Sequence, residues 1–156
     1  RIDFSYPNGV FRDCEAVAVD KARDRVLLVT KRVYPPELYA VPLQGSGFVI
    51  AKKIADLFHL PRATNADIKE EPSIGKYRRM VTGMDIYEDD LIITTYQDLY
   101  LYKLPGLEEA PLVVRMPLTG QREAVAFDRR SSLIAYVTNE RRGGVGVADV
   151  FKIELP

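Results

Sequence analysis

With 156 residues, 47% of them hydrophobic, the chain holds enough apolar material for one cored domain and too little for two ordinary ones. Lys plus Arg and Asp plus Glu number 22 each, so no net field draws the chain toward nucleic acid or an anionic membrane. Cys14 is the only cysteine and His59 the only histidine, which excludes an internal disulfide and a Cys/His zinc site within one chain. No apolar run approaches the length of a membrane-spanning helix.

The chain opens on Arg1-Ile2-Asp3, with no initiator Met and no apolar signal core, the start expected of a processed or excerpted chain. Ile2 to Tyr6 alternates apolar and polar residues and predicts a strand ended by the turn Tyr6-Pro7-Asn8-Gly9. Residues 16–19 and 26–30 predict two strands joined by the polar turn Asp20 to Arg25, and Leu38-Tyr39-Ala40-Val41 a third after Pro35-Pro36. Phe48 to Leu57 reads as an outer strand, although the spacing at Lys52 to Leu57 also fits a short helix. Residues 60–79, with Pro61, Pro72, Gly75 and many charges, predict an irregular surface excursion. Leu112 to Met116 supplies a second outer strand, and Val150 to Ile153 the last strand.

The pattern recurs. Asp13-Cys14-Glu15-Ala16-Val17-Ala18-Val19-Asp20 returns as Arg122-Glu123-Ala124-Val125-Ala126-Phe127-Asp128, and a weaker copy lies between them when Val17 is set on Ile86. Leu28-Val29-Thr30-Lys31 then meets Ile93-Thr94-Thr95-Tyr96 and Tyr136-Val137-Thr138-Asn139. A carboxylate, an apolar run and a turn acid, followed by two further strands at a spacing of about 54 residues, is the pattern of a β-propeller blade. The expectation is an all-β fold: three four-stranded blades, at about 13–58, 80–117 and 120–156, of a ring of about six. Residues 1–6 are then the outer strand of a neighbouring blade. Such a fragment leaves strand edges and apolar faces open, so either a missing half of the propeller or a second copy is the expected partner.

The motifs Tyr6-Pro7-Asn8-Gly9, Asp13-x-Glu15-Ala16, Val29-Thr30-Lys31, Val81-Thr82-Gly83-Met84-Asp85-Ile86, Thr95-Tyr96-x-Asp98-x-Tyr100-Leu101-Tyr102 and Gln121-Arg122-Glu123-Ala124 occur in that order. Together they resemble the C-terminal half of a group of bacterial, mostly exported β-propeller proteins with no assigned activity. The resemblance implies an extracellular or periplasmic location and a preceding half with motifs that this chain lacks. The group's pattern has Asp where this chain has Asn8 and Gly where it has Arg122.

Two sets of residues are candidates for function. Asp13, Glu15, Asp85 and Glu123 begin the first strands, which would line a central channel. Carboxylates around one axis repel unless a cation sits among them, so a hard, oxygen-ligated ion such as calcium is the expectation, against the alternative that they accept backbone N–H groups of a neighbouring blade. Lys31, Tyr96 and Asn139, with Glu140 next in the chain, put different polar groups at equivalent places, as a ligand-reading face would. The reading that follows is a binding scaffold for a small molecule or protein, with possible catalytic use of the acids as a metal-dependent phosphate or ester hydrolase as the alternative. No nucleophile elbow or phosphate loop is present in the sequence.

Overall fold

The computed structural model describes residues 1–116, 121–140 and 148–156. Antiparallel strands dominate it. The first sheet contains β2 (Cys14–Asp20), β3 (Arg25–Thr30), β4 (Glu37–Pro42) and β6 (Lys52–Asp56) in that spatial order. The middle sheet contains β7 (Val81–Tyr87), β8 (Asp90–Thr95), β9 (Asp98–Lys103) and β10 (Leu112–Arg115). The third contains β11 (Gln121–Asp128), β12 (Ser131–Glu140) and β13 (Val150–Glu154). Among the described residues this last sheet has three strands, not the four expected.

Face-to-face packing follows from the alternation of side chains along each strand. Ala16, Ala18, Leu27, Val29 and Leu38 of the first sheet meet Met84, Ile86, Leu91 and Ile93 of the middle one. Ile92 and Leu99, on the opposite face of the middle sheet, pack on Val125, Phe127, Ala135 and Val137 of the third. The strands β2, β7 and β11 lie side by side as a result. Gly83 permits the closest approach, because a Cβ built there would stand 3.2 Å from the Ala124 Cα and 3.3 Å from the Glu123 carbonyl oxygen.

One N-terminal expectation needs correction. Phe48 to Leu57 is two strands, β5 (Gly47–Ile50) and β6, with buried Ala51 between them. The break arises because β5 leaves the sheet to pair in parallel with β1 (Ile2–Ser5), Ile2 opposite Gly47, and the Ala51 N–H donates to the Ser5 carbonyl at 2.8 Å. The first strand thus pairs within this chain. Tyr6 packs edge-on against Tyr39, ring centroids 4.8 Å apart, and covers the outer part of the first sheet's far face.

The excursion between the first and middle sheets is more ordered than its composition implies. It contains α1 (Asn65–Glu70), entered through a capping box in which the Thr64 hydroxyl accepts from the Asp67 N–H and the Asp67 carboxylate accepts from the Thr64 N–H. Asp67 also takes two bonds from Arg79, at 2.7 and 3.2 Å, and those partners hold its carboxyl well below the usual range against the cost of burial. Gly75 closes the segment where no side chain fits, since a Cβ there would fall 2.1 Å from the Asp67 carbonyl oxygen. No helix among the described residues is long and apolar enough to cross a membrane.

Candidate functional site

The same irregularity occurs near the start of β2, β7 and β11. Pairing with the second strand skips Glu15 between Cys14 and Ala16, Thr82 between Val81 and Gly83, and Glu123 between Arg122 and Ala124. Each skip is a β-bulge, which re-aims the side chain of the extra residue out of the ladder. Glu15, Thr82 and Glu123 are therefore the equivalent positions. Counting along the pairing sets Val17 level with Met84 and Val125, not with Ile86.

That register moves Asp85 away from the other acids. It stands three residues past Thr82, about 10 Å along the strand at ~3.3 Å per residue. There it faces the third sheet and accepts from the Phe127 N–H at 2.9 Å, with Arg129 at 3.5 Å. Asp85 ties one sheet to the next.

At the bulged end, side chains from all three sheets do converge. The buried Lys31 ammonium, just beyond β3, donates to the Glu15 carboxylate and, at 3.0 Å, to the Tyr96 hydroxyl, while also standing 5.1 Å from the centre of the Tyr96 ring. Glu123 lies close enough for its charge to act on the Tyr96 phenol, and Glu140 adds a further negative charge close to Glu123. Burial pushes the Glu123 carboxyl upward, Glu140 and Glu15 push it further, and Lys31 and Tyr96 oppose them. Burial alone would lower the Lys31 pKa, but its bonds to Glu15 and Tyr96 prevail and hold it above the ordinary lysine value. Burial raises the Tyr96 phenol, partly offset by the Lys31 hydrogen bond. Asp13 sits at the rim, its carboxylate paired with Arg32 at 2.8 Å on the exposed surface.

Of the expected polar face, Lys31, Tyr96 and Glu140 occupy equivalent places and Asn139 does not. Asn139 matches Thr30 and Thr95, the residues opposite Cys14 and Val81 as Asn139 is opposite Arg122. All three do one structural job. The Thr30 hydroxyl accepts from the Glu37 N–H at 2.8 Å, the Thr95 hydroxyl from the Asp98 N–H at 3.0 Å, and the Asn139 side-chain oxygen from the Asp149 N–H at 2.7 Å. Each thereby fixes the entry to the third strand of its sheet.

Arg122 points away from Glu123, as alternation requires, into the gap between the middle and third sheets. It is fully buried and donates to the carbonyls of Tyr96, at 2.5 Å, and Gln97, at 3.1 Å. Burial draws its pKa down, with Asp98 opposing. Arg122 therefore holds the segment carrying Tyr96 and leaves the Glu123 carboxylate unobstructed.

Chemically, the cluster offers carboxylates at Glu15, Glu123 and Glu140 around one ammonium and one phenol. The cation expected among the acids is supplied by the chain itself. A calcium ion fits the donor set poorly: Glu15 is engaged by Lys31, Asp13 by Arg32 and Asp85 by backbone. Among the described residues no three His, Cys, Asp or Glu side chains are grouped to hold a metal.

Three stacked antiparallel sheets with a polar cluster at one end define an all-β protein, and the fold has relatives among solved structures. No protein-family model and no curated protein matches the chain. One similar structure is that of luciferin-regenerating enzyme, with a TM-score of 0.53 and 14% sequence identity over 90% of this chain. The chain spans 44% of that enzyme's length. At that identity the likeness concerns the fold alone.

Proposed function

We propose that this chain is half of a β-propeller whose bulged end binds a small polar ligand. The sheets are three blades of a ring of about six, and the repeat is structural as well as sequential. Support for the ring comes from side-by-side first strands with the same bulge in each, and from coverage of under half of a larger solved protein. Val17 and Val19 on the first sheet, and Val150 on the third, leave apolar positions exposed at the two outer faces. Further chain or a second copy covers them; light scattering on this chain tests that, since a clean, stable monomer contradicts both.

The observation that carries the ligand-binding reading is the convergence of Glu15, Lys31, Tyr96 and Glu123, which draws on all three sheets at one end, with Lys31 bonded to both Glu15 and Tyr96. Its three carboxylates exceed its one ammonium, so the ligand is a hydrogen-bond donor, an amine or a polyol, and not an anion. A calcium-type ion, or the metal-dependent hydrolysis of a phosphate or ester, requires Lys31 to leave Glu15 and is the second reading. Thermal melting of the complete protein in calcium and in chelator separates the two. On the first reading the melting temperature is the same in both, amines or polyols raise it, and Tyr96→Phe abolishes that rise. A fall in chelator that Glu15→Gln removes would establish the ion instead.

A further inference from the structure

A second polar feature lies beside this cluster and has the opposite sign. The loop following β3 and the excursion around α1 enclose a cleft of about 360 Å³ whose lining includes Lys31, Arg32, Arg62, Lys76 and Arg79 and no carboxylate. In a chain with no net charge, five cations on one concavity are a strong local departure. Three of them are neutralised from outside the cleft: Lys31 by Glu15, Arg32 by Asp13, and Arg79 by Asp67. Arg62 and Lys76 have no carboxylate partner among the described residues. Each instead lies over an aromatic ring, Arg62 at 4.1 Å from the centre of Tyr34 and Lys76 at 4.7 Å from that of Tyr77. Ring stacking holds the two side chains in place while leaving their N–H groups available.

We infer that this cleft binds the dianionic phosphate of a phosphomonoester. Two uncompensated cations match the charge of that group, and the guanidinium of Arg62 and the ammonium of Lys76 supply the charge-assisted donors that phosphate oxygens accept. The walls are built before the ligand arrives. Asp67 fixes Arg79 and the start of α1, and Gly75 locks the turn leading to Lys76 against the Asp67 carbonyl. Tyr34, Pro36, Pro61 and Met80 line the same space and provide apolar contact for the organic part of the ester. The inference goes beyond the polar-ligand reading of the bulged end, with which it shares only Lys31.

Calorimetric titration of the complete protein with phenylphosphonate, a non-hydrolysable stand-in, tests it at mildly alkaline pH where the probe is a dianion. Binding is expected, weakening with added salt and as acid protonates the probe. Arg62→Ala and Lys76→Ala should each weaken it by about tenfold, the loss of one charge-assisted bond. Lys103→Ala, on another face, should not change it. Arg62→Gln and Lys76→Gln keep bulk and replace any alanine variant whose melting temperature falls. The inference is overturned if the wild type does not bind the probe, if neutral benzyl alcohol binds as well as phenylphosphonate, or if both cleft variants retain wild-type affinity. Retention in both with loss in Tyr96→Phe would place the anion at the bulged end, overturning the cleft and contradicting the donor-ligand reading there. Failure of the amine or polyol melting test leaves the cleft result unaffected.

Discussion

The middle and third sheets are built from similar strands and live in different surroundings. Every residue of β8 from Leu91 to Thr95 is buried, because the first sheet covers one face and the third covers the other. Along β13 exposed Val150, Lys152 and Glu154 alternate with half-buried Phe151 and Ile153, because only one face is covered. Strand propensity is thus not what distinguishes them. Burial on two sides turns a run such as Leu91-Ile92-Ile93 into core, whereas the third sheet holds apolar side chains on a face that none of the described residues covers.

The largest test of that contrast replaces one apolar residue on each side of it. Ile93→Ala should cost about 4 kcal/mol, the transfer of a large side chain plus the cavity left between two sheets. Val150→Ala, at an outer-face position 69% exposed, should cost under about 0.5 kcal/mol in this chain. Urea denaturation of both variants measures the difference, and equal costs would show that the outer face of the third sheet is not open. A larger Val150 penalty in the complete protein would locate the surface that covers it.

A smaller effect tests what joins the two sheets. Arg122→Ala strands the carbonyls of Tyr96 and Gln97 in the interface and should cost about 2 kcal/mol. Arg122→Lys should recover only part, since an ammonium cannot reproduce the planar fork. The same denaturation experiment checks both, and a neutral Arg122→Ala would mean that apolar packing and the Asp85 bond to Phe127 fasten the third sheet without it.

The smallest effect depends on pH. Burial and the neighbouring carboxylates raise the Glu123 pKa in the folded protein, so the folded state holds that proton more tightly than the unfolded state does. Ionised Glu123 therefore costs stability above its raised pKa, and the cost fades as pH falls through the window down to the unfolded value. Glu123→Gln should be slightly more stable than wild type at neutral pH, by less than about 1 kcal/mol, with the gain gone in acid. Melting temperatures across that range decide it, and a gain that grows in acid would reverse the sign. Glu37 is the contrasting case. Against the burial that raises it, Arg12, Lys53 and Tyr39 lower its pKa to about 2, so its contribution is present above the ordinary carboxylate range and is lost as pH falls toward that value.

The all-β class, most strand positions and the equivalence of Glu15 with Glu123 and of Lys31 with Tyr96 were legible in the sequence, because alternation, turn residues and polar strand ends are local signals. The middle register was not. The hairpin after β7 closes through Glu88-Asp89, a two-residue turn with Glu88 at φ 55°, where the hairpin after β2 uses four residues. Matching the acid of that turn to Asp20 slid the middle copy by two residues and brought Asp85 too close to the strand start. In the third copy the slip was one residue, which exchanged Asn139 for Glu140. Bulges carry no mark in composition, and each adds a residue that shifts everything beyond it. The basic cleft had a faint signal in Arg32, Arg62, Lys76 and Arg79, but nothing local says that residues so far apart in the chain face one space.

What the amino-acid order determined by itself is most of the strands, since side-chain periodicity and turn chemistry act within a few residues of one another. Which carboxylates meet, that the cation among them is Lys31, and which two cations are left without a counter-charge were decided by tertiary structure alone. Those outcomes depend on ladder register and on the stacking of separate sheets, where a displacement of one residue exchanges one face for the other and distance along the chain has no bearing on distance in space.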